Sequence, residues 1–135
     1  MSVTTRRQPD LKMGQTVHFG NHTLTADVSV VEGGEGAGPS PHDLYDAALG
    51  ACKALTVMWY ATRKTLPVDD IEVVVDRDAT QERAGTYGLS ATLRIGGLVS
   101  DAQLDELLKV AEKCPVHKLM TTVTTVITTQ IERMT

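Results

Sequence analysis

The chain has 135 residues, of which 41% are hydrophobic and 22% are charged, and this composition is typical of one soluble globular domain, spanning residues 1–135, with a buried core. Its formal net charge is −4 at pH 7, and basic residues are scattered singly apart from the pairs Arg6–Arg7 and Arg63–Lys64, so we expect no nucleic-acid or membrane partner. The N-terminal segment lacks the apolar run of a secretory signal, so we expect a cytoplasmic protein whose thiols stay reduced unless they cycle.

The N-terminal part of the chain predicts a β-hairpin followed by a loop. Val17 and Phe19 alternate with polar neighbours, residues 20–22 suit a turn, and a second alternating run extends from Leu24 to Val30. The glycine-rich segment that follows, EGGEGAGPSP, has no Gly-Lys-Ser/Thr ending. We therefore expect a connector there and not a phosphate-binding loop.

A long helix is predicted from Pro41 to about Lys64. Ser40 suits the N-cap, and Asp43 suits the third helical position, in a pattern close to a capping box. Apolar residues cover most of the circumference; they are Leu44, Ala47, Ala48, Ala51, Cys52, Leu55, Val57, Met58 and Trp59. A helix of about 24 residues spans about 36 Å, more than so small a domain can enclose. We therefore expect a second subunit to cover part of it.

The second half of the chain predicts another hairpin, two helices and a last strand. Alternating apolar residues at 71–75 and 89–95 indicate two strands, and Ser100 suits the N-cap of a helix with a capping box. Pro115 interrupts that helix and suits the start of another. The β-branched segment at 121–132 favours a final strand. The predicted order is β-β-α-β-β-α-α-β, an α+β fold.

The two cysteines of the chain lie in different local sequences. Cys52 is predicted on an apolar stretch of the long helix, where burial raises the pKa of a thiol and makes it inert. The adjacent Lys53 is expected to point to another face of the helix. Cys114 is predicted at the N-cap of a helix beside Lys113 and His117, where backbone N–H groups and positive charge favour an anion. We expect Cys114 to ionise more easily.

The residues alone leave the role of the cysteines open. Two inert buried thiols, a redox pair and a metal site are all compatible with the pattern. The metal reading requires Cys114 and His117 together with a remote Cys52 or His42, which is a weak signature. We expect neither a metal nor a cofactor.

Two segments of the chain resemble the OsmC/Ohr superfamily, the osmotically induced and organic-hydroperoxide-resistance proteins. They are GAGPSPHDLYDAALGACKALTVMWYATRK and AEKCPVHKLM, and the resemblance extends from about Val17 to the C-terminus. It implies an OsmC-like fold with two β-sheet halves and long buried central helices. It also implies an intertwined homodimer.

The resemblance also implies a reaction. Cys52 would attack an organic hydroperoxide as a thiolate and become a sulfenic acid. Cys114 would condense with it to a disulfide, and a dithiol reductant of the lipoyl type would open that disulfide. A different function for the same fold is a non-enzymatic dimer that binds a hydrophobic small molecule in the cleft around Cys52.

The sequence differs from the peroxidase branches of this superfamily at the start of the long helix. Those branches have a glutamate directly after the proline and an arginine that pairs with it, whereas this chain has His42 followed by Asp43. About 15 Å of helical rise separates His42 from Cys52, so we expect any activating or orienting role to be exerted across a dimer interface. The alternative is that both residues only belong to the first helical turn.

Overall fold

Five strands and three helices follow one another along the chain in the computed structural model, which describes residues 1–135. They are β1 (Val3–Arg7), β2 (Gln15–Phe19), β3 (His22–Ala26), α1 (Pro41–Lys64), β4 (Val68–Asp78), β5 (Gly88–Gly97), α2 (Asp101–Glu112) and α3 (Pro115–Thr121). The first three strands form one sheet, and β4 and β5 form another. The predicted α+β class is therefore confirmed.

The residues divide into two compact units. The first unit contains Met1–Ala48 and Val75–Ser90, and the second unit contains Leu49–Val74 and Ala91–Thr135. Helix α1 and strands β4 and β5 each contribute residues to both units.

The sheet of the first unit contains the predicted hairpin. Strands β2 and β3 pair antiparallel with Phe19 opposite His22, and Gly20 has a φ of 61° in the turn between them, a conformation that glycine adopts without a steric cost. Strand β3 ends at Ala26, earlier than predicted. Strand β1 was not predicted because all five of its side chains are exposed, so it has no apolar alternation; it pairs with the outer edge of β2.

The carboxylate of Asp27 organises the glycine-rich loop of the first unit. This buried side chain accepts hydrogen bonds from the backbone N–H groups of Val28 at 2.8 Å, Ala37 at 3.1 Å and Glu35 at 3.2 Å. The N–H groups of Ala37 and Val28, with a further contribution from Glu35, hold the pKa of Asp27 below its ordinary value. The loop is thus a connector held by one buried anion.

Both predicted helix starts are confirmed. At the start of α1, the N–H of Asp43 donates to Ser40 Oγ at 3.1 Å and the N–H of Ser40 donates to Asp43 Oδ2 at 2.9 Å. At the start of α2, Ser100 and Gln103 form a reciprocal capping box. Each pair satisfies backbone donors that the helix cannot pair internally.

The core of the second unit lies between α1 and α2. Its buried residues are Val57, Ala61, Leu107 and Ala111, and partly buried apolar residues of β4 and β5 pack against them. Because residues three or four apart share a helix face, each helix contributes one stripe to this core. That packing fixes the turn of α1 that carries Cys52 and Lys53.

One face of α1 is not covered by the chain itself. Leu55 is 71% exposed and Trp59 is 59% exposed, although the sequence predicts a helix buried nearly all round. Leu104 and Leu108 of α2 are also exposed. No helix combines the length and apolar character needed to cross a bilayer.

The predicted final strand is wrong. Helix α3 extends to Thr121, and residues 124–135 have no regular secondary structure. Every side chain from Thr121 onwards is exposed. β-Branched residues favour strands because they pack on a pleated, half-buried surface, and no strand of this chain offers the segment such a partner.

We predict that Asp27→Asn lowers the thermal unfolding midpoint by several degrees at pH 7, because an amide replaces one acceptor oxygen with a donor that faces backbone N–H groups. The folded state lowers the Asp27 pKa, so this stabilisation is present above the ordinary aspartate pKa of about 3.9 and is lost as the pH falls through the lowered value. Melting curves at neutral and acidic pH measure the difference.

The matched control is Asp10→Asn, which changes an exposed carboxylate. A difference between wild type and Asp27→Asn that stays constant down to strongly acidic pH would contradict the assigned role of the Asp27 charge.

Candidate functional site

The second unit brings Cys52 close to the start of α3. Cys52 is half-buried, and both cysteines are free thiols. The sulfur of Cys52 accepts the N–H of Val116 at 3.4 Å and lies 3.9 Å from Thr56 Oγ1. Val116 is the second residue of α3, so a backbone donor with no partner inside that helix points at the sulfur.

Cys114 caps α3 as predicted, with Pro115 at the first helical position. Its side chain is fully buried at 0% exposure. Burial and the neighbouring Cys52 side chain raise the pKa of Cys114, while the N–H of His117 and the charge of Lys53 lower it by less. The prediction that this thiol ionises easily is therefore wrong, because the sequence did not reveal how completely it is buried.

Lys53 is a buried cation, whereas the sequence predicted only that it points to another face of the helix than Cys52. Its side chain is 5% exposed, and its ammonium donates to the carbonyl of Ala111 at 2.8 Å and to His117 Nδ1 at 3.0 Å. Within the second unit, no carboxylate pairs with it. The sequence did contain an indication of this burial, because Lys53 lies in an otherwise apolar stretch of helix. A lysine in such a stretch is buried only where its ammonium has partners.

The contacts of Lys53 show how its positive charge is accommodated. The carbonyl of Ala111 is among the last of α2, where the helix dipole favours a cation. An ammonium that donates to His117 Nδ1 requires a lone pair on that atom, so the imidazole carries its hydrogen on Nε2. The positive charge of Lys53 also acts on Cys114, whose pKa it lowers against the effect of burial.

The predicted residues His42 and Asp43 lie in the first unit, each with its own partner. His42 Nε2 is 2.8 Å from Glu82 Oε1. Asp43 accepts from Arg77 at 2.8 Å, and the N–H of Ser40, the Arg77 guanidinium and the Ser40 hydroxyl hold the pKa of Asp43 below its ordinary value. Arg77 was not predicted at this position, because nothing in strand periodicity shows which basic residue meets a helix N-terminus.

Arg77 is held by a second carboxylate of the first unit. Its Nε donates to Asp46 Oδ2 at 2.6 Å, and the hydroxyl of Tyr87 donates to Asp46 Oδ1 at 2.7 Å. The carboxylates of Asp43 and Asp46 raise the pKa of Arg77 further above its ordinary value, and Asp43 has the larger effect. Two aspartates thus hold the guanidinium in place.

Two nucleophilic sulfurs, a buried ammonium and an imidazole therefore meet in the second unit. A cation and backbone N–H groups stabilise a thiolate, which is the reactive form of cysteine. A second thiol beside it can capture an oxidised sulfur as a disulfide. The arrangement suits two-electron thiol redox chemistry.

The chain is similar to a known family over most of its length. Residues 33–129 match the family described as OsmC-like protein. No curated protein sequence matches the chain significantly.

Solved structures share the fold at low sequence identity. An OsmC-like protein from Mycoplasma pneumoniae aligns with a TM-score of 0.72 and 20% identity over 90% of this chain and 87% of its own. An organic hydroperoxide resistance protein OsmC from Legionella pneumophila aligns with a TM-score of 0.65 and 21% identity over 90% of each chain. The organic hydroperoxide resistance protein OhrB of Bacillus subtilis aligns with a TM-score of 0.58 and 22% identity, again over 90% of each chain.

Proposed function

The chain belongs to the OsmC-like protein family, and on this premise we propose that it is a thiol peroxidase that reduces organic hydroperoxides. The observation that carries the proposal is the hydrogen bond from the Val116 N–H to the sulfur of Cys52, which brings Cys52 to the helix capped by Cys114. Two of the proteins with the same fold are named for organic hydroperoxide resistance. That name supports the choice of substrate class.

Cys52 is the attacking residue in this proposal. Its sulfur is half-buried, whereas Cys114 is fully buried, so an oxidant reaches Cys52 first. The Val116 N–H points at its sulfur, and the Thr56 hydroxyl lies 3.9 Å from it; hydrogen-bond donors in these positions stabilise a thiolate when it forms. The thiolate attacks the terminal oxygen of the hydroperoxide, the O–O bond breaks, and Cys52 becomes a sulfenic acid.

Cys114 is the resolving residue. Its raised pKa keeps it as a thiol at neutral pH, so it does not compete with Cys52 for the peroxide. Its sulfur attacks the sulfenic sulfur, hydroxide leaves with the thiol proton as water, and a disulfide forms. Disulfide geometry requires the two Cα atoms to approach to about 4.4–6.8 Å. A dithiol of the lipoyl type then returns both thiols by exchange.

We further propose that the active form is a cytoplasmic homodimer. The exposed Leu55 and Trp59 of α1 and the exposed Leu104 and Leu108 of α2 supply an apolar surface that a second copy would remove from water. In such a dimer, the first helical turn with His42 and Asp43 would orient substrate or thiolate from the partner subunit.

The same apolar surface favours a second candidate function. A non-enzymatic dimer could use the surroundings of Cys52, Leu55 and Trp59 to bind a hydrophobic small molecule, with both thiols as spectators. Peroxide turnover distinguishes the two functions.

We predict that Cys52→Ser abolishes the reduction of cumene hydroperoxide with a dithiol as reductant, because serine has no sulfur to oxidise. Consumption of peroxide by wild type and variant is compared under identical conditions. A wild-type rate as close to zero as that of Cys52→Ser would reject the peroxidase and favour the binding protein.

We predict that Cys114→Ser reduces one equivalent of peroxide and then stops, because the sulfenic acid of Cys52 has no neighbouring thiol to capture it. Single-turnover kinetics and trapping of the sulfenic acid with dimedone measure this. Sustained cycling of Cys114→Ser with the dithiol would show that Cys114 is not the resolving residue.

A further inference from the structure

Lys53 carries its charge in a place where a cation is costly without an anion. The ammonium is 5% exposed and contacts a carbonyl and a neutral imidazole nitrogen. Neither partner neutralises it, and burial of an uncompensated charge is strongly unfavourable. Its charge acts on the thiol of Cys114, which in turn interacts with the thiol of Cys52, so a thiolate of this pair is its natural counter-charge.

Peroxide cleavage removes that counter-charge. The thiolate becomes a neutral sulfenic acid, and the negative charge leaves on an alkoxide, which is a strong base. At the same moment Lys53 becomes a buried cation with no anion beside it, which is a costly arrangement. The step therefore produces an alkoxide that needs a proton, and it leaves Lys53 with a buried positive charge that loss of a proton would remove.

His117 is the side-chain partner of Lys53. Its Nδ1 accepts from Lys53 Nζ at 3.0 Å, and its Nε2 carries the remaining hydrogen. The ring is half-buried, unlike Lys53, and the backbone N–H of His117 interacts with the sulfur of Cys114. An imidazole in this position can take a proton at Nδ1 and release one at Nε2.

We propose that Lys53 and His117 form the proton donor of the peroxide-cleaving step; this inference rests on the proposed peroxidase function. Cys52 sulfur forms a bond to the terminal oxygen and is oxidised by two electrons, while the O–O bond breaks and the peroxide is reduced. The departing alkoxide takes the proton from His117 Nε2 and leaves as an alcohol. His117 Nδ1 takes a proton from Lys53, which becomes neutral.

The protons balance over the full cycle. Cys114 loses its own proton to the hydroxide that leaves the sulfenic acid, so disulfide formation releases water and no free proton. The dithiol reductant then supplies two hydrogens to the two sulfurs. One of the new thiols transfers its proton to Lys53, and this restores the thiolate and the ammonium.

The leaving group of the oxidant provides the test. tert-Butyl hydroperoxide releases an alkoxide that needs a proton, whereas peracetic acid releases acetate, which does not. Single-turnover rates for the two oxidants are measured at neutral pH in the Cys114→Ser background, with and without His117→Asn. Asparagine keeps an acceptor for Lys53 but cannot pass a proton on.

We predict that His117→Asn slows the reaction with tert-butyl hydroperoxide by about 100-fold or more, the usual contribution of general acid catalysis, and leaves the reaction with peracetic acid close to the parent rate. Lys53→Met slows both reactions, because it removes the cation that favours the thiolate as well as the proton. His22→Asn and Lys109→Met, which change exposed residues, are the matched controls, and melting curves confirm that all variants fold.

Equal losses with both oxidants in His117→Asn, or a parent rate with tert-butyl hydroperoxide, would overturn the relay and leave the peroxidase intact. An unchanged rate with peracetic acid in Lys53→Met would overturn the role of Lys53. A parent protein that reacts with neither oxidant would reject the proposed function itself, and the relay with it.

Discussion

The hydrogen bond from the Val116 N–H to the sulfur of Cys52 is the contact on which the site depends. It exists because Pro115 cannot continue the hydrogen bonding of α2, so the chain turns at Cys114 in an extended conformation and begins a new helix. The first N–H groups of that helix have no internal partner. One of them meets a sulfur from α1, and two cysteines far apart in sequence become neighbours.

The buried charge of Lys53 is the second constraint, and it relates stability to chemistry. A methionine of similar size would fill the same space without the desolvation cost of an ammonium. The lysine is compatible with the fold because the end of α2 and His117 accept its hydrogen bonds. The site therefore contains a cation whose charge acts on the Cys114 thiol, and a nearby cation favours a thiolate.

Local patterns predicted most of the fold, while groups defined by long-range contacts were missed. The capping pairs at Ser40 and Ser100 are sequence-local, so their positions could be found from residue types. The resemblance to a family identified both cysteines. The direction of Lys53 and the raised pKa of Cys114 depend on burial between elements distant in sequence, and the final strand was predicted from residues whose pairing partner does not exist in this chain.

The proposed mechanism requires that Cys52 and Cys114 react with one another. One equivalent of cumene hydroperoxide, followed by blocking of free thiols and mass spectrometry of proteolytic peptides, tests it most directly. We expect a disulfide within one chain that joins the peptide containing Cys52 to the peptide containing Cys114, with the loss of two hydrogens. Separate oxidation of the two cysteines, with no bond between them at any peroxide dose, would contradict it.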